Sequence, residues 1–569
     1  MNAEATATRN LLVVGGAIVL VQAAVLALVA LPAPHPGGDN AAYLTLAHAL
    51  AEGLGYTELW DPEVPPHTKY PPVYPLVLAG MMFLGATTWV AFKASSAVAI
   101  SLATLLAFAW AARRRGAIAG GGIALLLIFA SGWQEASRWI LSEPWFLLWT
   151  YTAFWAGERG IAERSGRWLF LAGLAALLAF GVRTAGLPVV LGLLGALLVA
   201  RRYREALVFG GVGVAVVGGW MLRTARGGEG AYQSEFWLVN PYEPELGTIG
   251  VVGLLGRLWT NLELYLVGVL PGEWGVGGPE AVAIMVGLLL GLLGLAGWIQ
   301  SCRDRPGPAE LFAPLYIGMI LLWPEVWSGD RFLLPLLPVG LLYAGEGVGL
   351  LARAVSRRSR APTRERTASL LIGGTLAAAV LILSLTSLPR TFDRISESTE
   401  CRAATAASGD VYACHPPGIH EFRAAAAWMG ANLPDGAVVL SRKPRILFAL
   451  HGPRGRTFPF TPDPGRFLEE ADRSGARYLL FDRWDGIASY YLPSVISGHP
   501  GAFCFVNAWG GAGEGPATQL FGILPPADRR DGVMLQDLGS CPTGWVRPEG
   551  PGQPTPEGTR VPLLISDSP

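Results

Sequence analysis

The sequence predicts a polytopic α-helical membrane protein of about eleven spans with a C-terminal extracytoplasmic α/β domain. Three observations carry that prediction. The 569 residues are 51% hydrophobic and only 15% charged, with a mean hydropathy of +0.40; a soluble chain carries about a quarter charged residues. Apolar runs near or beyond ~18 residues recur, long enough to cross a hydrocarbon core. After Pro389 the composition becomes mixed and polar.

The first element is the run Leu11–Leu31, behind a polar "MNAEATATRN" with a single Arg9. It is long for a signal-peptide core and lacks a small-x-small cleavage site, so it reads as an uncleaved span. Basic clusters then order the rest: "ARRRG" (112–116), "ERGIAERSGR" (158–167), "RRYRE" (201–205), "CRDR" (302–305) and "ARAVSRRSRAPTRER" (352–366). The positive-inside rule places them all in the cytoplasm. Spans then fall near 11–31, 90–111, 117–132, 142–157, 168–182, 185–200, 206–222, 281–300, 311–327, 331–351 and 369–388. The N-terminus is cytoplasmic and the chain sits in the inner or plasma membrane with its C-terminal domain outside. Segment 71–86 would break this order as a span, so it reads as a juxtamembrane or re-entrant helix, its start crowded by Pro71, Pro72 and Pro75. Two outer loops are long, 32–89 and 223–280, and "LLGRLWTNLELYLVGVL" in the second reads as an amphipathic interfacial helix.

The membrane domain therefore occupies 1–390 and the extracytoplasmic domain 391–569. In the latter, "HEFRAAAAWMGANLPDGAVVLSRKPRILFALHG" reads as helix, turn, strand, helix. "GARYLLFD" reads as a second strand, and "AFCFVNAW" with "ATQLFGIL" as a hairpin. The tail from 545 is rich in Pro and Gly and reads as loose. Cys401, Cys414, Cys504 and Cys541 all fall in this polar part, while Cys302 lies in a short charged loop. On the oxidising side of a membrane four cysteines point to two disulfides. Three connectivities are open, with 401–414 and 504–541 preferred; four unpaired buried thiols are the alternative.

Zero net charge and the absence of a basic domain argue against a nucleic-acid partner. There is no Walker loop, HExxH or zinc-ligand spacing, and His67, His415 and His420 are scattered. No metal site and no cofactor is expected, with a divalent cation left open.

Charged residues beside spans are functional candidates, because burying them in lipid costs several kcal/mol. Asp39, Lys69, Glu135, Arg138, Glu143, Arg183, Asp330 and Arg331 all map to outer span ends. Each alone reads equally well as an interface anchor or structural ion pair. In "GGDNAAY", Asp39 is either a helix N-cap or a general base. In "HTKYPPVYP", Lys69 precedes a rigid double proline, suited to a lipid phosphate or to ordinary snorkelling. In "RWILSEPWFLLW", Ser142-Glu143-Pro144 reads as a helix start, with Glu143 favoured there by the dipole. Arg183 in "FGVRTAGLPVVL" stands between two apolar runs and should meet an anion. Asp330 and Arg331 in "WSGDRFLLPLLPVGLL" share a short outer turn and can pair with nearby charges.

The order of these pieces resembles the GT-C-type polytopic glycosyltransferases, and is similar to the dolichyl-phosphate-mannose protein mannosyltransferases and the lipid A aminoarabinose transferase. The pieces are "GGDNAAY", "KYPPVYP", "SEP", "VRTAGLP" and "RFLLPLLP". They cover residues 1 to about 390 in order, and the tail in position only. Asp39-Asn40 stands where mannosyltransferases have Asp-Glu, and Tyr70 is one extra residue between Lys69 and Pro71. The resemblance implies transfer of a sugar from a polyprenyl-phosphate donor to an acceptor hydroxyl of a protein, lipid or glycan, with inversion. It implies Asp39 as the base, Lys69, Arg183, Arg138 and Arg331 as holders of the donor phosphate, and Asn40, Tyr43, Tyr74 and Glu143 as supporting or acceptor-side residues. A transporter or flippase would instead show inverted repeats and mid-membrane charges. A surface-glycan polymerase or ligase would need an Arg-rich outer loop, and 223–280 has few. A non-catalytic receptor leaves the acids and bases beside the spans unexplained.

Overall fold

The computed structural model describes residues 2–34, 37–226, 232–276, 280–304, 306–357, 362–510 and 517–547. The 358–361 part of the last basic cluster and the tail beyond 547 lie outside these.

The chain opens with α1 (Asn2–Val29), then α2 (Gly38–Ala51) and α3 (Val73–Phe83) in the first long loop. There follow α4 (Trp89–Arg115), α5 (Ala117–Phe129), α6 (Ser131–Arg138), α7 (Glu143–Ala162), α8 (Gly166–Val182), α9 (Leu187–Val199) and α10 (Tyr203–Ala225). The second long loop holds α11 (Tyr232–Trp237), α12 (Val251–Glu263) and the short α13 (Leu270–Gly272). The bundle ends with α14 (Glu280–Asp304), α15 (Pro308–Leu321), α16 (Asp330–Leu333), α17 (Leu337–Arg357) and α18 (Pro362–Ser408). At 11 residues α3 is too short to cross a bilayer, in line with the juxtamembrane reading of 71–86.

Helices stand at all eleven expected positions, but among the described residues six are long and apolar enough to span, or seven if α5 and α6, bent by 59°, form one span. The expected count of eleven full spans is corrected to that extent. The helices at 117–132, 142–157, 168–182, 185–200 and 311–327 do not qualify alone. The reasons are local. The helix at 117–132 bends at Ala130, α8 stops at Arg183, and α15 stops before Trp323-Pro324. Helix α7 is rich in Trp and Tyr and carries Glu158 and Arg159. Helices α8 and α15 stop at the cavity described below and α9 begins beside it, so these ends open room at one end of the bundle.

The bundle core is built around α7, which packs on α4, α8, α9 and α15. Its Phe146, Tyr151 and Phe154 are fully buried against Trp110, Phe312 and Tyr316. Helices α14 and α17 approach at their backbones: a Cβ on Gly297 would lie 1.9 Å from the Tyr343 carbonyl, and one on Gly347 2.2 Å from that of Leu293. Only glycine permits this contact, the usual device for close helix pairs in lipid. At the end opposite the cavity, Arg114 of α4 lies between Glu158 of α7 and Glu310 of α15, and Glu310 also accepts from Ser301 and Tyr343. Five helices meet at this one paired cluster, which leaves the buried guanidinium satisfied.

Helix α18 continues unbroken past Pro389 to Ser408, so the compositional change falls inside a helix. The C-terminal domain then adds α19 (Pro417–Asn432), α20 (Pro444–Ala449), α21 (Pro464–Arg473) and α22 (Gly486–Gly498) around a five-stranded sheet. The strands are β1 (Val439–Ser441), β2 (Gly455–Thr457), β3 (Tyr478–Phe481), β4 (Phe503–Trp509) and β5 (Thr518–Ile523), in the order β2-β1-β3-β5-β4. The first three are parallel, and β5 is antiparallel to both of its neighbours, β3 and β4. Cys401 pairs with Cys414 and Cys504 with Cys541. Gly522 on β5 faces the second bridge, where a Cβ would lie 2.6 Å from either sulfur.

The domain sits on both long loops. Gly455 donates to the Trp60 carbonyl at 2.9 Å, Arg456 pairs with Asp61 and Glu63, Thr461 donates to Glu245, and the Tyr491 hydroxyl donates to the Tyr242 carbonyl. Helix α20 packs on α2, and Ala41 of α2 joins the domain's own core beside Phe422 and Met429.

Candidate active site

Where α2, α8, α10, α15 and α16 end, a cavity of about 870 Å³ opens between the bundle and the C-terminal domain. Asp39 lies on its wall. Gly37 is the N-cap of α2, so Asp39, inside the first turn, is not its capping residue. Its Oδ1 accepts from the Tyr70 hydroxyl at 2.8 Å and its Oδ2 from both Arg331 η-nitrogens at 3.2 Å. Burial alone would raise the Asp39 pKa. Arg331, the Tyr70 hydroxyl, Arg445 and Arg183 outweigh it and hold the carboxyl well below the usual carboxylate range.

Beneath Asp39 lies Glu143, fully buried at the start of α7. Its Oε1 receives Arg183 and Arg331, each at 2.5 Å. Arg183 also donates to the Ser142 hydroxyl at 3.1 Å, which lies 3.0 Å from the Tyr43 hydroxyl. Arg183 is aimed by the turn Thr184–Gly186, which folds back on α8. A Cβ on Gly186 would lie 2.5 Å from Ala179 backbone, so only glycine closes this turn. Arg331 sits on α16, where Asp330 accepts from its backbone N–H at 2.8 Å. One carboxylate therefore holds two guanidinium groups, and Arg331 bridges it to Asp39.

Lys69 is on the opposite wall, within 2.8 Å of both Glu235 oxygens and 5.4 Å from the centre of the Trp327 ring. The C-terminal domain closes the top with Arg442, Lys443 and Arg445, from the loop and first turn of α20. Arg442 and Lys443 pair with Asp485. Among the described lining residues, six cationic side chains face two carboxylates, Asp39 and Glu235. Tyr242, Trp327 and Phe332 supply aromatic wall. Among the described residues no group of three or more His, Cys, Asp or Glu could hold a metal ion.

No family model matches the sequence, and no curated protein matches it. Solved structures do. ArnT from Cupriavidus metallidurans, bound to undecaprenyl phosphate, matches with TM-score 0.51 over 90% of this chain and 98% of its own, at 14% identity. An Archaeoglobus fulgidus oligosaccharyltransferase, tethered to an acceptor peptide containing the NVT sequon, matches with TM-score 0.50 over 87% of this chain and 73% of its own, also at 14% identity. The chain shares the fold of these two proteins, the GT-C-like architecture expected from the sequence.

Within this fold the structure brings together Asp39, Lys69, Arg183, Arg331, Asn40 and Tyr43 at one cavity, with Glu143 directly behind. Two expected members stand apart. Arg138 is nearly buried on α6 and pairs with Glu135 and Glu397, in a cluster that also contains Arg394 and does not line the cavity. Tyr74 is fully buried, edge-on under Tyr43 with ring centres 4.9 Å apart, and does not line the cavity either. Asn40 is buried and its side-chain oxygen accepts from the Ile140 N–H at 2.8 Å, pinning α2 to the segment before α7. The sequence reading missed Tyr70, Glu235, Arg442, Lys443 and Arg445. "SRKPRILF", three cations around a helix-starting proline, was the available signal for the last three.

Proposed function

We propose that this chain is an inverting glycosyltransferase. It takes a sugar from a polyprenyl-phosphate donor and moves it to an acceptor hydroxyl on the outer face of the membrane, with the N-terminus cytoplasmic and residues 391–569 outside. The observation that carries the reading is a carboxylate, Asp39, facing the same cavity as Lys69, Arg183 and Arg331. The fold, shared with an ArnT solved with undecaprenyl phosphate bound, supports it.

The acceptor hydroxyl attacks the anomeric carbon from the face opposite the phosphate and gives its proton to Asp39. The bond from that carbon to the phosphate oxygen breaks, and its electron pair leaves with the phosphate, which gains a second negative charge. Lys69, Arg183 and Arg331 stabilise that charge as it develops, where it matters for rate. In the free site Arg331 is shared by Asp39 and Glu143. As the departing phosphate draws Arg331 away, the proton affinity of Asp39 rises at the step that needs it. The donor is already activated, so no nucleotide loop is required. The prenyl tail lies between the short helices that end at the cavity.

The test is incubation of the purified protein with a panel of polyprenyl-phosphate sugars, with products read by mass spectrometry. Release of polyprenyl phosphate from one donor is expected, with the sugar on an acceptor or on water. Intact donors throughout, with transbilayer movement of one of them, would overturn the reading in favour of a flippase.

A further inference from the structure

Tyr70, the extra residue between Lys69 and Pro71, is held at every polar atom. Its N–H donates to His67 Nε2 at 2.8 Å, and its carbonyl accepts from the Tyr56 hydroxyl at 2.8 Å. Its ring lies between those of His67 and Tyr43, with centres 5.2 and 4.9 Å away. His67 is fully buried and its Nδ1–H donates to Glu58 at 2.7 Å, which leaves Nε2 free to accept. The hydroxyl donates to Asp39 Oδ1 at 2.8 Å and accepts from Arg445 Nη1 at 3.3 Å. Arg445 belongs to the C-terminal domain, rests over the Trp60 ring with 5.1 Å to its centre, and forms no ion pair with a carboxylate among the described residues. A hydroxyl that accepts from a guanidinium donates more strongly, and hydrogen bonds to ionised groups are the strong ones.

We propose that Tyr70 and Arg445 are positioning residues for Asp39. The C-terminal domain polarises the Tyr70 hydroxyl through Arg445, and that hydroxyl fixes Oδ1 and leaves the carboxylate ionised and aimed into the cavity. The base is then competent only with the domain docked on the first loop. This rests on the reading of Asp39 as the base. The charged and titratable groups around Asp39 are Arg331 from α16, Arg183 behind α8, Arg445 from α20, Glu143 from α7, Tyr43 on α2 and Tyr70 itself.

The experiment reads Asp39 directly, without substrate. A water-soluble carbodiimide with glycine ethyl ester labels protonated carboxyl groups, and the Asp39 peptide is quantified by mass spectrometry across pH 4 to 7, approximately. Tyr70→Phe keeps the ring and removes only the hydroxyl. Labelling at Asp39 is expected to rise about tenfold at the acid end, the factor that goes with ~1.4 kcal/mol between protonation states. Arg445→Gln is expected to raise it less, and to add less in the Tyr70→Phe background than it does alone, because only its direct charge effect on Asp39 remains there, while Arg445→Lys restores part of the wild-type behaviour. Unchanged labelling in folded Tyr70→Phe, or fully additive effects of the two changes, would overturn the proposal. Loss of the base reading alone has a different signature: these labelling shifts stay, and Asp39→Asn still transfers sugar.

Discussion

Asp39 has two oxygens and two different partners, a tyrosine hydroxyl on one and a guanidinium on the other. That arrangement leaves it ionised at any physiological pH, with Arg331 shared between Asp39 and Glu143. Arg183 stands one step back, held by Glu143 and Ser142. Arg183→Ala is expected to weaken donor binding at least about tenfold, measured with a polyprenyl-phosphate sugar by equilibrium binding. Unchanged affinity would make Arg183 a structural partner of Glu143 only. At this scale Asp39, Lys69, Arg183 and Arg331 were legible because a charge beside an apolar run has few structural reasons to be there. Arg138 had the same signature and a structural reason, the carboxylates of Glu135 three residues back and of Glu397, and no spacing rule pairs the latter across 259 residues of chain. Tyr70 was visible only as an insertion, since a tyrosine among prolines carries no charge to mark it.

The elements that shape the cavity are the ones that stop early. Helix α8 ends at Arg183 and α9 starts after a single tight turn. Hydropathy located these helices well but overcounted them as full spans, because an apolar run does not reveal where a helix bends. It located β1, β3, β4 and β5 and missed β2, whose Gly-Arg-Thr carries neither an apolar run nor an alternation. Close packing was illegible: nothing in the glycine-rich text of α14 and α17 says which glycines touch. Gly347→Val is expected to push α14 and α17 apart, at a cost of about 1–3 kcal/mol seen as a lower melting temperature in detergent. An unchanged transition would mean that the two backbones have slack at that contact.

The described residues form a bundle with a cavity at one end and a C-terminal sheet domain that completes its wall. The domain contributes three of the cationic lining residues and docks through backbone and ion-pair contacts to the first loop. Sequence could place the domain after the bundle, yet not which of its edges turns inward, because docking is set by pairs far apart in the chain. Just behind that edge is Asp482, fully buried, with its Oδ1 accepting from the Trp484 N–H and its Oδ2 without a hydrogen-bond partner among the described residues. Burial, with the nearby Asp485, pushes its pKa up to about 6. Because the folded value is raised, its stabilising contribution is complete below about pH 4 and is lost as pH rises through about 6. Asp482→Asn is therefore expected to raise thermal stability above about pH 6, by on the order of 1–3 kcal/mol, with little difference near pH 4. A variant less stable than wild type at neutral pH would contradict this.

The central claim, Asp39 as the base of a sugar transfer, meets its most direct test in Asp39→Asn. The substitution keeps an oxygen to receive Tyr70 or Arg331 and removes the ability to take a proton. On the donor that wild type turns over, kcat is expected to fall at least about 100-fold while donor binding changes less than about threefold. Near-wild-type turnover by the folded variant would contradict the assignment.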